Sequence, residues 1–473
     1  MISSKIGGAR EAASDFGSSP AIHGRILFDR SLASSQVQRV NFKMRTLVSL
    51  LVSLLLVIAI SSAQQKPLPR QAIHEIVSLP ERSATEIAIT DVTLIDGRGG
   101  SPLKHVTVIV RNGSIAAIGK SQEVAVPPKA EVFPAEGLTM LPGLMDAHFH
   151  LDGAHDLPSL FLRHGITSVR DPGAWMEAYE PVIKAEGFKP RLFLAGPHLD
   201  SPPPAYPHDA LIVRDNTEAR QATNWLIDSG ATVIKVYFRL PLGLIETIVQ
   251  TAHARGIPVT AHLETVDAGN AIHAGLDGIE HVTSLGSALL PPRDAEAYRQ
   301  SVLADNQARR EGRYKVWSEL DLTTPRTREL IELMKQRKIF LSPTLAVFER
   351  RTGDRESNAT HVRGFQQMLN FVGLAYRGGV RIVVGSHSDV PHAEKGWAYH
   401  RELELLVESG LTPMAAIEAG TIQNARFFQV DGRLGSIEPG KRADLILVEG
   451  NPSEDISALR HVKRVMINGL WLP

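Results

Sequence analysis

Asp146-Ala147-His148-Phe149-His150, following Leu141-Pro142-Gly143, carries two imidazoles two residues apart. On a β-strand such residues point to one face, so both rings project together and can chelate one metal ion. Alone, an H-x-H pair is equally well explained by hydrogen bonding or chance. Lys235 stands within Val233-Ile234-Lys235-Val236-Tyr237-Phe238, whose other members are apolar or aromatic. An ammonium there is costly unless paired, and its pKa falls. The neutral amine can add carbon dioxide to give a carbamate whose two oxygens bridge two cations. A snorkelling or ion-paired lysine is the competing explanation. Tyr237 shares the face of Lys235 by strand period, which makes it a candidate substrate-binding or oxyanion-donating group. His262 closes the run from Ile257, and His281 follows Gly278-Ile279-Glu280. A lone histidine at a strand end is usually a satisfied core residue. Four of them with a lysine, in a chain with no cysteine, point instead to a metal centre.

The elements that must position these residues are legible in outline. Residues 139–430 alternate short β-branched runs with helical stretches, the pattern of a parallel α/β fold, most simply a (β/α)8 barrel. Every candidate above falls at the C-terminal end of a strand, where such barrels keep their sites. Residues 85–138 are β-rich, with Asn112-Gly113 as a two-residue hairpin signal, and residues 431–473 return to β around Asn468-Gly469. The expected architecture is a barrel inserted into a small β-sandwich made from the two end segments. Between Gly286 and Thr327 a charged stretch with Pro291-Pro292 exceeds ordinary barrel loops, and reads as either a helical lid or a solvated insertion. Thr412-Pro413 supplies an N-cap and a first-turn proline for the helix that follows.

Composition removes several function classes. At 473 residues the chain exceeds one ordinary core, and its 43% apolar and 22% charged residues suit folded domains. The 51 basic and 51 acidic side chains balance, so no global charge recruits nucleic acid or anionic membrane. The absence of cysteine excludes disulfides, thiolate metal sites and cysteine nucleophiles. The apolar run Leu47–Ile60 is too short for an ordinary span, is preceded by Met44-Arg45 and is followed by Ser61-Ser62-Ala63. Residues 1–63 are therefore expected to be a leader, with a signal peptide starting at Met44 and a protein exported to the periplasm or medium. The alternative is an uncleaved anchor that touches the membrane only through residues 47–63. The leader is net basic, so the remainder is mildly acidic. Residues 64–84 read as a linker.

The segments PGLMDAHFHLDG, GITSVRDPG, VIKVYF, VTAHLE, DGIEHV, GSHSD and GSIEPGKRADLILVEGNP occur in this order from about Ile87 to the C-terminus. Together they resemble the amidohydrolase superfamily, in particular its imidazolonepropionase-like branch, which includes carboxylated-lysine prolidases. The resemblance implies two divalent cations, zinc by expectation, held by His148 and His150, by a carboxylated Lys235 as bridge, and by His262 and His281. The family pattern ends on an Asp in the last strand that binds metal and moves a proton. Here the segment is Gly385-Ser386-His387-Ser388-Asp389. His387 occupies the Asp slot, and Asp389 lies two residues on, on the same face by strand period. Either one is the candidate catalytic residue and last ligand, and loss of activity is a third outcome.

The implied chemistry is hydrolysis of a C–N bond in a small amide or peptide, such as a dipeptide or N-acyl amino acid, by metal-activated hydroxide. Alternatives are a catalytically silent metal- or ligand-binding protein on the same scaffold, and a single-metal deaminase or cyclic-amide hydrolase. Arg170, His198, Tyr206, Arg214, Arg239 and His392 are candidate readers of a substrate carboxylate, each with a structural role as the competing explanation. No nucleic-acid partner is expected, and a homo-oligomer remains compatible with the sequence.

Overall fold

The computed structural model describes residues 86–473. The expected leader and linker, residues 1–84, lie outside the described residues. The chain opens with β1 (Glu86–Leu94), β2 (Leu103–Arg111), β3 (Ser114–Lys120), β4 (Glu131–Pro134) and β5 (Leu138–Pro142). Asn112 and Gly113, at φ of 49° and 74°, make the β2–β3 turn. Both central positions of such a turn need positive φ, which asparagine and glycine tolerate.

The next strands are β6 (Leu144–Asp146), β7 (Ile166–Asp171), β8 (Arg191–Leu194), β9 (His198–Asp200) and β10 (Ala210–Ile212). They continue as β11 (Ile234–Val236), β12 (Val259–Ala261), β13 (Gly278–Glu280), β14 (Phe340–Ser342) and β15 (Arg381–Ile382). The chain ends with β16 (Leu445–Glu449), β17 (Val462–Ile467) and β18 (Leu470–Trp471).

The middle strands are parallel and alternate with helices, so the fold is mixed α/β. Their ladders form a three-stranded sheet, β6-β7-β8, and a seven-stranded sheet, β10-β9-β11-β12-β13-β14-β15, rather than one continuous ring of eight. Most of these strands are only two or three residues long, so neighbours at the two seams meet through single backbone bonds. Thr232 N–H donates to Leu194 O at 2.9 Å on one side. On the other, Ala147 N–H donates to Val384 O at 2.8 Å and His387 N–H to His148 O at 2.7 Å.

The end segments share one sheet in the order β18-β17-β16-β5-β1-β2-β3, with β4 also paired to β1. The join is the antiparallel pair of β5 with β16, five residues in register from Leu445↔Pro142 to Glu449↔Leu138. This sheet has its own apolar face, including Ile87, Ile89, Val108, Met140, Leu445 and Leu447. The larger core lies between the parallel strands and the helices around them. The helices carry the expected punctuation. Asp215 caps Asn216–Asp228 by accepting from Thr217 and Glu218 N–H. Thr412 accepts from Ala415 N–H ahead of Pro413–Glu418. Among the described residues no helix is long and apolar enough to cross a membrane.

A buried ion pair locks the base of the parallel strands to the terminal sheet. Arg191, first residue of β8, donates from Nε and Nη2 to the two carboxylate oxygens of Asp444 at 2.7 and 3.1 Å. Asp444 Oδ1 also accepts from Asn468 N–H at 2.7 Å. Removing one partner leaves a charge buried without compensation, which costs about 3–5 kcal/mol. Asp444→Asn is therefore expected to lower the urea unfolding midpoint substantially; an unchanged midpoint would show the pair to be inert.

Candidate metal centre

The strand ends converge on five imidazoles. After β6 the chain runs on between its neighbours, because Phe149 N–H donates to Arg170 O at 2.8 Å and His148 O accepts from His387. Strand alternation therefore persists beyond Asp146 and brings His148 and His150 to one side, with their Nε2 atoms 3.1 Å apart. Asp146 sets this turn from below: Oδ1 accepts from His148 and Ser386 N–H at 3.0 and 2.9 Å, and Oδ2 from Ser386 Oγ–H at 2.5 Å. Burial raises the pKa of Asp146 to about 6, against these bonds. Ser388 Oγ accepts from His150 N–H at 2.7 Å.

Lys235 projects from β11 and is buried, and among the described residues its Nζ has no hydrogen-bond partner. Burial lowers its pKa to about 8. His262 follows β12, and His281 follows β13 with a left-handed φ of 66°. The His281 ring lies 4.5 Å from those of His148 and His262, centroid to centroid. Its Nδ1 meets Thr344 Oγ1 at 2.7 Å, which leaves Nε2 free for the centre. Burial holds His148, His262, His281 and His387 far below the ordinary imidazole pKa, so all four rings are neutral. Neutral imidazole is the ligating form.

These residues fit a divalent cation. His148, His150 and His387 each offer a donor atom, and the three atoms lie within 4.8 Å of one another. His262 Nδ1 and Lys235 Nζ are further buried nitrogens with no partner among the described residues, which native interiors seldom leave unsatisfied. The orienting group behind the pair is Glu280. His148 Nδ1 lies 2.7 Å from Glu280 Oε2, and Arg170 Nη2 donates to Oε1 at 2.6 Å. A carboxylate on Nδ1–H fixes the tautomer and aims the Nε2 lone pair at the metal position. The cluster of His148, His150 and His387 could therefore bind a metal ion.

Of the two last-strand candidates, the structure brings only His387 to the cluster. Its ring stacks on His148 at 5.4 Å and lies 4.7 Å from His150. Asp389 is exposed, and its N–H bonds back to His387 O. The strand-period reasoning fails there because β15 ends at Ile382, and His387 and Ser388 both adopt left-handed φ, 61° and 62°.

A cavity of about 320 Å³ opens over the histidines and is also lined by Lys235, Tyr237, His198, Tyr206, Trp175 and Asp209. The Tyr237 ring lies 4.2 Å from His198 and 4.8 Å from His262, and burial raises its pKa, so it remains a donor. Of the proposed carboxylate readers, His198 and Tyr206 line this cavity. The others are engaged elsewhere: Arg170 with Glu280, Arg214 with Glu218, Arg239 with Leu303 O and Asn306, and His392 with Asp354. Sequence reasoning missed Glu280 and Asp146 as orienting acids. Alternation sets Glu280 and His281 on opposite faces, and only the left-handed turn at His281 lets both serve the centre. The long segment after Gly286 is helical over Pro292–Ala304 and Ala308–Glu319, and Tyr298 from it donates to Glu264 Oε2 at 2.7 Å.

The Amidohydrolase family model matches residues 139–472. Ochratoxinase of Aspergillus niger is 24% identical over 449 residues, covering 77% of this chain and 82% of that enzyme. N-acyl-D-aspartate deacylase of Alcaligenes xylosoxydans xylosoxydans is 39% identical over 87 residues, only 18% of this chain and 17% of that protein's length. Among solved structures, a Xaa-Pro dipeptidase with bound methionine superposes with a TM-score of 0.64 at 23% identity, covering 82% of this chain and 99% of that one. The A. niger ochratoxinase structure gives 0.64 at 22%, covering 83% and 97%. These structural likenesses concern the fold.

Gly385 makes the close approach of the segment after β15 to His148 feasible. A Cβ there would stand 2.5 Å from His148 Cβ and 2.4 Å from Ser342 Oγ. Gly385→Ala should push His148 off its Glu280 contact and weaken metal retention roughly tenfold or more, the range seen when an orienting partner is lost. Metal content after dialysis against a graded chelator checks this; unchanged retention in a folded variant would contradict it.

Proposed function

We propose that this chain, which belongs to the amidohydrolase family and is a hydrolase of carbon–nitrogen bonds, uses two divalent cations to cleave the amide or peptide bond of a small substrate. The observation that carries the reading is the convergence of His148 and His150 Nε2, 3.1 Å apart, beside the buried, unpartnered Nζ of Lys235. In this reading the parallel strands act as a (β/α)8 barrel, and the sheet built from the two chain ends takes the place of the sandwich. The cations, zinc in the simplest case, would be held by His148, His150, His262, His281 and a carboxylated Lys235. When bound they supply Lewis acidity, which lowers the pKa of water and polarises the scissile carbonyl.

The remaining steps belong to the chain's own side chains. Glu280 holds His148 in the Nδ1–H tautomer, and Thr344 Oγ1 engages Nδ1 of His281, which leaves its Nε2 for the centre. Tyr237, protonated and on the cavity wall, donates its hydroxyl to the carbonyl oxygen as negative charge develops there. His387, in the last-strand position, takes the proton of the attacking water on a ring nitrogen and passes it to the leaving nitrogen. The relatives, a dipeptidase, a deacylase and ochratoxinase, support dipeptides and N-acyl amino acids as the substrates to screen first.

The test is hydrolysis of a panel of dipeptides and N-acyl amino acids by the metal-loaded chain. His387→Asn is expected to lower turnover roughly 10²–10⁴-fold, the usual worth of a positioned proton-transfer group, while Asp389→Asn leaves it near wild type. The reverse ranking would transfer the role to Asp389. Lys235→Ala should retain less metal, and wild-type reconstitution should depend on carbon dioxide. Full metal content and turnover in Lys235→Ala would remove the carbamate from the scheme.

A further inference from the structure

A second cavity, of about 390 Å³, adjoins the first, and Tyr206, Tyr237, His281 and His387 line both. Its far side is made by Arg309, Arg310 and Arg313 from the helix Ala308–Glu319 and by Arg350, with Tyr314 and Phe348 between them. Arg309 is 4% exposed. Its guanidinium lies 5.3 Å from the ring of Tyr206 and 5.1 Å from that of Phe238, and donates from Nη2 to the hydroxyl of Tyr206. Its Nε has no partner among the described residues. Arg313 lies over the rings of Phe348 at 5.0 Å and Tyr314 at 6.0 Å, and among the described residues its one hydrogen bond is to the Arg310 carbonyl, at 3.4 Å. Arg350 faces Tyr314 at 5.2 Å and donates to Glu349 O.

Glu311 and Glu356 also line this cavity and Glu264 lies close by, but among the described residues no carboxylate forms an ion pair with Arg309, Arg310, Arg313 or Arg350. Glu311 is engaged by His361 Nε2 at 2.7 Å. Glu264, whose charge Arg309 and Arg313 both feel, is held by Tyr298 and contacts His262 at 3.3 Å. Buried charges in folded proteins are ordinarily paired, and a planar guanidinium matches a carboxylate in two parallel bonds. Four guanidiniums against two carboxylates on one cavity wall, with no ion pair between them among the described residues, make a net positive field that draws an anion into the chamber. The first cavity has the opposite character at its mouth, with Asp152 and Asp209. An anionic end of a substrate is therefore driven toward the arginines while its amide lies at the histidines.

We propose that the chamber lined by Arg309, Arg313 and Arg350 is a substrate subsite for carboxylates, and that it selects amides whose far end carries two of them, as an acylated acidic amino acid does. The proposal rests on the hydrolase reading in one respect only, that the bound anion is the substrate. It gives the helix Ala308–Glu319 a role in specificity, between the lid and the idle insertion that its sequence allowed.

The test is a charge ladder of near-isosteric ligands: N-acetylglutamate, N-acetylglutamine and N-acetylglutaminamide, each in L and D form, titrated calorimetrically into the metal-loaded full chain. Amine release is followed in the same samples. Each carboxylate removed should weaken binding roughly tenfold or more, and the ladder should flatten in the Arg313→Gln and Arg350→Gln variants, chosen because both side chains are less buried than Arg309. Equal affinity for the three ligands, or a ladder that survives in the double variant, overturns the proposal. Graded binding without amine release keeps the anion site and overturns the hydrolase reading for these amides. Equal hydrolysis of all three keeps the hydrolase reading and overturns this one.

Discussion

One buried carboxylate, Glu280, carries more of this structure than any other single group. It is fully buried, and both oxygens are used: Oε2 by His148 Nδ1 and Oε1 by Arg170 Nη2. Arg170 in turn donates from Nε to Ala147 O at 2.9 Å, and its guanidinium lies 3.9 Å above the ring of Phe427. Strands β6, β7 and β13 are thus tied at the level of the histidines by a charge pair with almost no access to water. Such a pair gains strength from the low dielectric only when every lone pair and proton is satisfied. Nη1 of Arg170 is the one atom of it without a partner among the described residues. The arrangement therefore holds position at some energetic cost, which is the expected character of a site that must fix ring orientation.

The same network explains which parts of the centre the sequence disclosed. Residues placed by strand alternation were legible: His148 and His150 from one strand end, Lys235 and Tyr237 from another. For residues on left-handed backbone the residue type was legible, but the direction of the side chain was not. His281, His387 and Ser388 all have positive φ, where alternation no longer predicts the direction of a side chain. That geometry turns Glu280 and His281 to a common purpose and separates His387 from Asp389. Nothing in the residue types foretells it, because β-branched neighbours and polar side chains occur equally at ordinary strand ends. The arginine chamber was hidden for a different reason. Its members come from Ala308–Glu319 and from Arg350, some forty residues apart on average, and a charged helix reads from sequence as a solvated one.

The fold shows a similar division. The parallel strands and the hairpins at Asn112-Gly113 and Asn468-Gly469 follow from period and turn chemistry. Their grouping into a three-stranded and a seven-stranded sheet does not, because strands of two or three residues leave the seams to isolated bonds. The pairing of β5 with β16 joins segments about 300 residues apart, a distance over which hydrophobic pattern specifies a face but not a partner.

At the seam between β6 and β15, a side chain takes over what a ladder would do. Asn424, fully buried, donates from Nδ2 to both Met145 O and Val384 O, and its Oδ1 accepts from Val384 N–H at 3.2 Å. One amide thus satisfies three backbone groups on two strands, which an apolar residue of the same size would leave unpaired in the core. The strand ends that it joins lead directly to His148 and to His387. A residue of the C-terminal helical segment therefore helps to hold the two segments that carry those rings, beside the direct bond from His387 N–H to His148 O. The histidine cluster thus depends on residues outside the strands that lead to it, the C-terminal helical segment included.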